Sequence, residues 1–263
     1  MTGTTTAAES RLTMPGGEIS LLRGGDGPPL LFLHGGGGAS TWSPLHEALS
    51  RRFDVVAPDH PRMGRSDDFE AFGAVDDLAQ HYDDLLDELG IPSATVVGAS
   101  FGAWLAAELA VLAPARVEQL VLMAPIGLRL PDHPVTDIFL MHPEQRVAAA
   151  FHDTSRAPAM DGDIDAFVQA YRDMSAIAHY AWRPFMSNPK LEGRLRRVRA
   201  RTLVVAAAED RIVPRAHAER YVERIAGARL EVVEDVGHAL DVERPEAVAD
   251  VVVSFLSAEE ARP

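Results

Sequence analysis

The chain has 263 residues, 47% hydrophobic and 24% charged, which suits one large α/β domain or two small ones and excludes a disordered, collagen-like or coiled-coil chain. Its 25 Lys+Arg against 39 Asp+Glu give a formal charge of −14, which makes nucleic acid and anionic membranes poor partners. The absence of cysteine excludes a disulfide framework, a thiolate zinc site, an iron–sulfur cluster and a cysteine nucleophile, and the chain needs no oxidising compartment. Residues 1–17 carry no basic segment followed by an apolar one, and no stretch reaches the ~18 apolar residues of a membrane span, so a cytoplasmic protein is expected. Residues 1–10 are small and polar and read as a disordered tail.

From there a series of short apolar runs sets the rhythm: Pro29–Leu33, Asp54–Ala57, Ala94–Gly98, Gln119–Met123, Thr202–Ala207 and Leu230–Glu234. Near-continuous β-branched runs of this length suit strands covered on both faces. Helical patterns fall between and after them, at Pro44–Arg51, Val75–Leu89, Phe101–Leu112, Arg215–Ile225 and Pro245–Leu256. The alternation predicts an α/β fold, a mostly parallel central sheet with helices on both faces. One interval, 126–191, contains no strong strand run; Pro143–Phe151 and Ile164–Tyr180 are helical patterns there. It is expected to be a helical cap inserted into a core made of 11–125 and 192–263. Its large side chains Phe139, Met141, Trp182, Phe185 and Met186, with Gly37 from the core, are candidates for the wall of an apolar pocket.

Gly98-Ala99-Ser100-Phe101-Gly102 reads G-x-S-x-G directly after an apolar run and directly before a helical pattern. This is the context in which a strained strand-to-helix turn projects a serine oxygen above a sheet. A nucleophilic serine needs oxyanion donors, a base and a group that orients the base. The glycine run after Leu33-His34, Gly35 to Gly38, can turn backbone N–H groups toward a developing oxyanion, and the N–H of Phe101 is a second donor. Among ten histidines His238 stands out because it lies between the last apolar run and the final helix. Asp210 lies just past Thr202–Ala207; Glu209 is adjacent and Asp235 is near, and both remain alternatives for the acid.

The order Ser100, Asp210, His238 resembles the triad order of the α/β-hydrolase superfamily, over nearly the whole chain. The resemblance rests on His34–Gly37, on the G-x-S-x-G turn, on Glu209–Pro214 (E-D-R-I-V-P) and on Gly237–Pro245 (G-H-x-x-x-x-E-x-P). It implies Ser100 as nucleophile, His238 as base, Asp210 as acid, and Gly36 with Phe101 as oxyanion donors. One departure is visible: relatives usually have D-x-P-G-x-G-x-S where this chain has Asp59–Ser66, so Arg62 stands in place of a turn glycine. Dehalogenases and epoxide hydrolases of the superfamily carry aspartate at the turn, so Ser100 points to acyl transfer to water. The expected reaction is hydrolysis of a small, largely apolar ester or lactone. Carbon–carbon bond hydrolases are the alternative, but they tend to carry Trp after the histidine, where Ala239 and Leu240 stand here. A hydrolase-fold receptor or cofactor-free cyclase is the reading from another class. No metal or organic cofactor is expected; the expected partner is a small-molecule substrate, with no nucleic acid and no membrane, and homodimerisation is admitted.

Overall fold

The computed structural model describes residues 7–36, 38, 41–158 and 164–258. In chain order the elements are β1 (Ala8–Met14), β2 (Gly17–Gly24), β3 (Pro29–Leu33), α1 (Pro44–Ser50), β4 (Asp54–Pro58), α2 (Val75–Glu88), β5 (Ala94–Ala99), α3 (Phe101–Leu112), β6 (Val117–Met123), α4 (Pro143–Ala150), α5 (Ile164–Ala181), α6 (Leu191–Arg194), β7 (Arg201–Ala207), α7 (Ala216–Arg224), β8 (Arg229–Val233), α8 (Leu240–Glu243) and α9 (Pro245–Ser257).

The strands form one sheet in the order β1-β2-β4-β3-β5-β6-β7-β8. The last six are parallel to one another, and they are the six apolar runs read from the sequence. Alternate residues of these strands enter opposite layers. Leu31, Leu33, Val96, Leu120, Leu122 and Val204 pack with α2, α3 and α7, while Leu30, Phe32, Val97, Val121, Leu203 and Val205 pack with α1 and α9. Period-two side-chain alternation between two covered faces is why these strands are apolar throughout. Helix α3 is buried from Phe101 to Val111, because it lies between the sheet and α2. Helix α1 starts where Ser43 accepts from the His46 N–H and the His46 ring accepts from the Ser43 N–H, a reciprocal cap.

One sequence expectation is corrected by the structure. Ala8–Ser10 are not part of a disordered tail but the start of β1, which pairs antiparallel with β2 from Ala8↔Arg23 to Met14↔Gly17. The Pro15-Gly16 turn, with Gly16 at φ 106°, was the local signal for this hairpin. The hairpin sits on the sheet edge, and Arg11 pairs there with Glu18 and Asp67. Such exposed pairs contribute about 0–1 kcal/mol each, so its place comes mainly from pairing with β4.

Between β6 and β7 the described residues of 126–191 hold the helices α4 and α5. The two ends of this interval meet: the Gly127 N–H donates to Met186 and the Asn188 N–H to Gly127. Arg196, Arg197 and Arg199 line a cleft with Pro114 and Ala115 at the N-terminal ends of β6 and β7, so positive side chains of this acidic chain gather at the end of the sheet opposite Ser100. Among the described residues no helix is long and apolar enough to cross a membrane.

Candidate active site

β5 delivers the chain to Ser100, and α3 begins one residue later. Ser100 has φ 50° and ψ −109°, a conformation side chains rarely adopt, and its N–H donates to the Met123 carbonyl at 2.8 Å. The flanking glycines make this turn possible by close approach. A Cβ on Gly98 would lie 2.3 Å from the Gly102 oxygen, and one on Gly102 would lie 2.0 Å from the Leu33 oxygen. The turn therefore aims Ser100 Oγ out of the sheet's C-terminal edge, while Phe101 is the first residue of α3, where helix N–H groups lack intrahelical acceptors.

The loops after β7 and β8 end at the same point. His238 Nε2 lies 2.8 Å from Ser100 Oγ, and His238 Nδ1 lies 2.8 Å from Asp210 Oδ2. The other Asp210 oxygen accepts the N–H groups of Ile212 and Val213, each at 2.8 Å, which fixes the carboxylate's orientation. Partners assign the tautomer: Nδ1–H donates to the carboxylate, leaving Nε2 to accept the serine proton. Burial disfavours the charged ring, but the charge and hydrogen bond of Asp210 outweigh it and hold the His238 pKa above the ordinary value of 6.5. Of the three acids weighed from sequence, Asp210 is the one bonded to the imidazole. The Glu209 N–H donates to Val236, and Asp235 faces solvent beside Arg244.

The glycine run begins close to Ser100: a Cβ on Gly35 would lie 3.4 Å from Ser100 Cβ. Its path is held by a buried pair that the sequence reading did not single out. His34 and His60 stack with centroids 3.7 Å apart. His34 Nε2 accepts the His60 N–H at 3.1 Å, His60 Nε2–H donates to the His34 carbonyl at 2.9 Å, and the Tyr82 hydroxyl completes the chain by donating to His60 Nδ1. Burial pushes both imidazoles below their ordinary pKa, so they are neutral scaffolding at pH 7. Arg62, where a turn glycine was the norm, takes φ 71°, the left-handed conformation glycine would have supplied, and its guanidinium pairs with Asp68 at 2.8 Å.

Over this loop lies α5. Its buried stripe is Asp173, Ala176, Ile177, Tyr180 and Ala181, spaced i, i+3, i+4, i+7, i+8. Ile177 sits against Gly36, where a Cβ would come within 2.6 Å of Ile177 Cδ1, and Asp173 accepts the Gly64 N–H at 3.0 Å. Neither residue was among the pocket candidates, although an acid inside an apolar stripe is itself a signal. Of the candidates, Phe139, Met141 and Phe185 are partly buried and pack against the same apolar cluster as Ile177. Phe139, Trp182 and Phe185 make a cluster of edge-on rings 5.7–6.3 Å apart, with Trp182 45% exposed, and Met186 is buried beside Gly127. No ring contact or hydrogen bond joins these four, or Met141, to the triad among the described residues; Gly37 lies outside the described residues. Among the described residues no group of three or more His, Asp or Glu is placed to hold a metal ion.

Residues 30–251 match the model of the alpha/beta hydrolase family. The chain is 31% identical over 261 residues to polyketide synthase ThaQ of Burkholderia thailandensis, covering 93% of this chain but only 12% of that much longer protein. It is 28% identical over 255 residues to 2-hydroxy-6-oxo-6-phenylhexa-2,4-dienoate hydrolase of Comamonas testosteroni, covering 88% of each. Among solved structures it superposes on a membrane phospholipase A, a bacterial virulence factor, with a TM-score of 0.83 at 23% identity, over 95% of this chain and 86% of that one, a likeness of fold. With the family model covering most of the sequence and the eight-stranded sheet in place, the chain belongs to the alpha/beta hydrolase family.

Proposed function

We propose that the protein is a serine hydrolase that cleaves a small, largely apolar carboxylic ester or lactone through an acyl-enzyme. The observation that carries this reading is the unbroken chain from Ser100 Oγ through His238 to Asp210, two contacts of 2.8 Å ending at a serine on a left-handed turn. In the reaction His238 Nε2 takes the Ser100 proton as Oγ attacks the acyl carbon, and Asp210 stabilises the imidazolium that forms. The N–H groups of Gly36 and Phe101 receive the oxyanion. His238 then protonates the departing alcohol, and water, losing its proton to His238, releases the acid and restores Ser100.

The likeness to the Comamonas testosteroni hydrolase supports a second reading, cleavage of a carbon–carbon bond in a vinylogous diketone. The same three residues serve both chemistries. What favours the ester is position 239, an alanine whose N–H is tied to the Ala150 carbonyl at 3.0 Å, where carbon–carbon hydrolases tend to carry Trp. Turnover of a short-chain aryl ester by the wild type and by Ser100→Ala, set beside consumption of a dienoate diketone, tests both. Steady ester turnover lost in Ser100→Ala supports the first reading; diketone cleavage without ester turnover replaces it with the second; neither reaction would point to a receptor.

A further inference from the structure

Glu243 is the glutamate of the G-H-x-x-x-x-E-x-P stretch, and the triad leaves it without a task. It is 1% exposed, and both carboxylate oxygens are filled by backbone N–H groups. Oε2 accepts from Gly237 at 2.8 Å and from His152 at 3.0 Å, and Oε1 accepts from Asp153 at 2.6 Å. Gly237 immediately precedes His238, whereas His152 and Asp153 belong to the cap just after α4. One side chain therefore ties the loop of the base to the cap.

The surrounding contacts run the same way. The Ala239 N–H donates to the Ala150 carbonyl, and the Arg156 guanidinium donates to the Glu243 carbonyl at 3.1 Å. Beside Asp210, the Arg211 guanidinium donates to the Ala148 carbonyl at 2.8 Å. Gly237 has no room for a side chain, since a Cβ would meet the Ala150 oxygen at 2.6 Å and the His152 nitrogen at 2.7 Å. A buried carboxylate is costly unless its oxygens are matched by donors, and here the donors come from both parts at once, so separating them would strand it.

We propose that Glu243 is a positioning residue that locks cap segment 148–156 onto the His238 loop, so that docking of the cap and placement of the base are a single event. This rests on the reading of His238 as the base. In Glu243→Gln the shape is kept but an amide N–H2 faces backbone N–H donors. The expected result is a 10–100-fold lower kcat on a short-chain aryl ester with KM changed much less, because a small displacement of the base acts on the chemical step. Amide hydrogen exchange at Gly237, His152 and Asp153 should accelerate together, with Val121 and Leu122 in β6 unaffected. Arg211→Met, which loosens the same segment without stranding a carboxylate, should give the same pattern at about two- to tenfold and stands in if Glu243→Gln does not fold. A raised KM with unchanged kcat would make Glu243 a cap anchor only and overturn the proposal, as would unchanged exchange at the three amides. If the wild type shows no Ser100-dependent turnover, the functional reading fails, and the exchange data alone still decide whether the lock exists.

Discussion

In the sheet, Ser100, Asp210 and His238 each follow a strand within a few residues, and their positions are set by backbone: a left-handed turn, two N–H groups on Asp210, and glycines where no side chain fits. In the cap, residues 126–191, the side chains are held differently. Six of the eight large hydrophobic residues exposed among the described residues lie there: Leu140, Ile164, Phe167, Val168, Tyr171 and Trp182. The cap meets the core through its α5 stripe, through the segment around Ala150 and through Thr136, whose N–H donates to the Ile212 carbonyl. The difference teaches that backbone geometry fixes the three side chains at the sheet edge, whereas the cap is where exposed apolar side chains gather; on the proposed function the first would supply the reactive groups and the second the selection among substrates.

The largest effect that would break this division is at the serine. Ser100→Ala is expected to lower kcat by about 10⁴–10⁶ with the far-ultraviolet spectrum and unfolding midpoint nearly unchanged, since only the reacting oxygen is lost. Retention of a tenth of the activity would remove Ser100 from the mechanism. Asp210→Asn is expected to cost about 10⁴ in kcat by favouring the wrong imidazole tautomer, with Glu209→Gln far milder. The same pair of variants addresses pH. On the proposed mechanism activity needs neutral His238, whose pKa Asp210 holds above 6.5, so kcat/KM should rise with pH along a limb centred above that value. In Asp210→Asn the residual activity should show that limb moved to lower pH, and an unmoved limb would assign it to another group.

Smaller effects sharpen the cap's side of the comparison. Ile177→Ala, next to Gly36, should change the ranking of bulky against small acyl groups by about 10–200-fold in kcat/KM ratios, the range for a methylene-scale change in a pocket. Trp182→Ala, half exposed in the outer cluster, should leave that ranking almost unaltered. A larger shift from Trp182 than from Ile177 would place the pocket wall at the aromatic cluster after all. The smallest effect concerns stability. Burial pushes His46 on α1 and His81 on α2 each down to about 4. Below about 6.5 the unfolded chain takes up protons that these rings cannot, so stability is complete above that pH and declines toward 4, by at most about 1.4 kcal/mol per pH unit for each ring. Urea titrations at pH 7, 5.5 and 4.5 would show it, and a flat profile would mean that these rings have access to water.

Local pattern reached far in this chain because most of the sheet is parallel and buried on both faces. Six apolar runs, the helices between them and the G-x-S-x-G turn are determined by burial and by steric limits that act within a few residues. The edge hairpin escaped because β1 is mostly exposed and its residues carry no apolar run. The sequence also narrowed the acid to Asp210, Glu209 or Asp235, but only the convergence of two loops separated by the whole of α7 and β8 decided among them, by placing one carboxylate 2.8 Å from Nδ1. That Ile177 of α5 meets Gly36 was likewise a tertiary matter. Large side chains bury themselves against one another as readily as against a pocket, and hydrophobicity has no direction, so which face of the cap meets Ser100 is decided only when the whole chain packs.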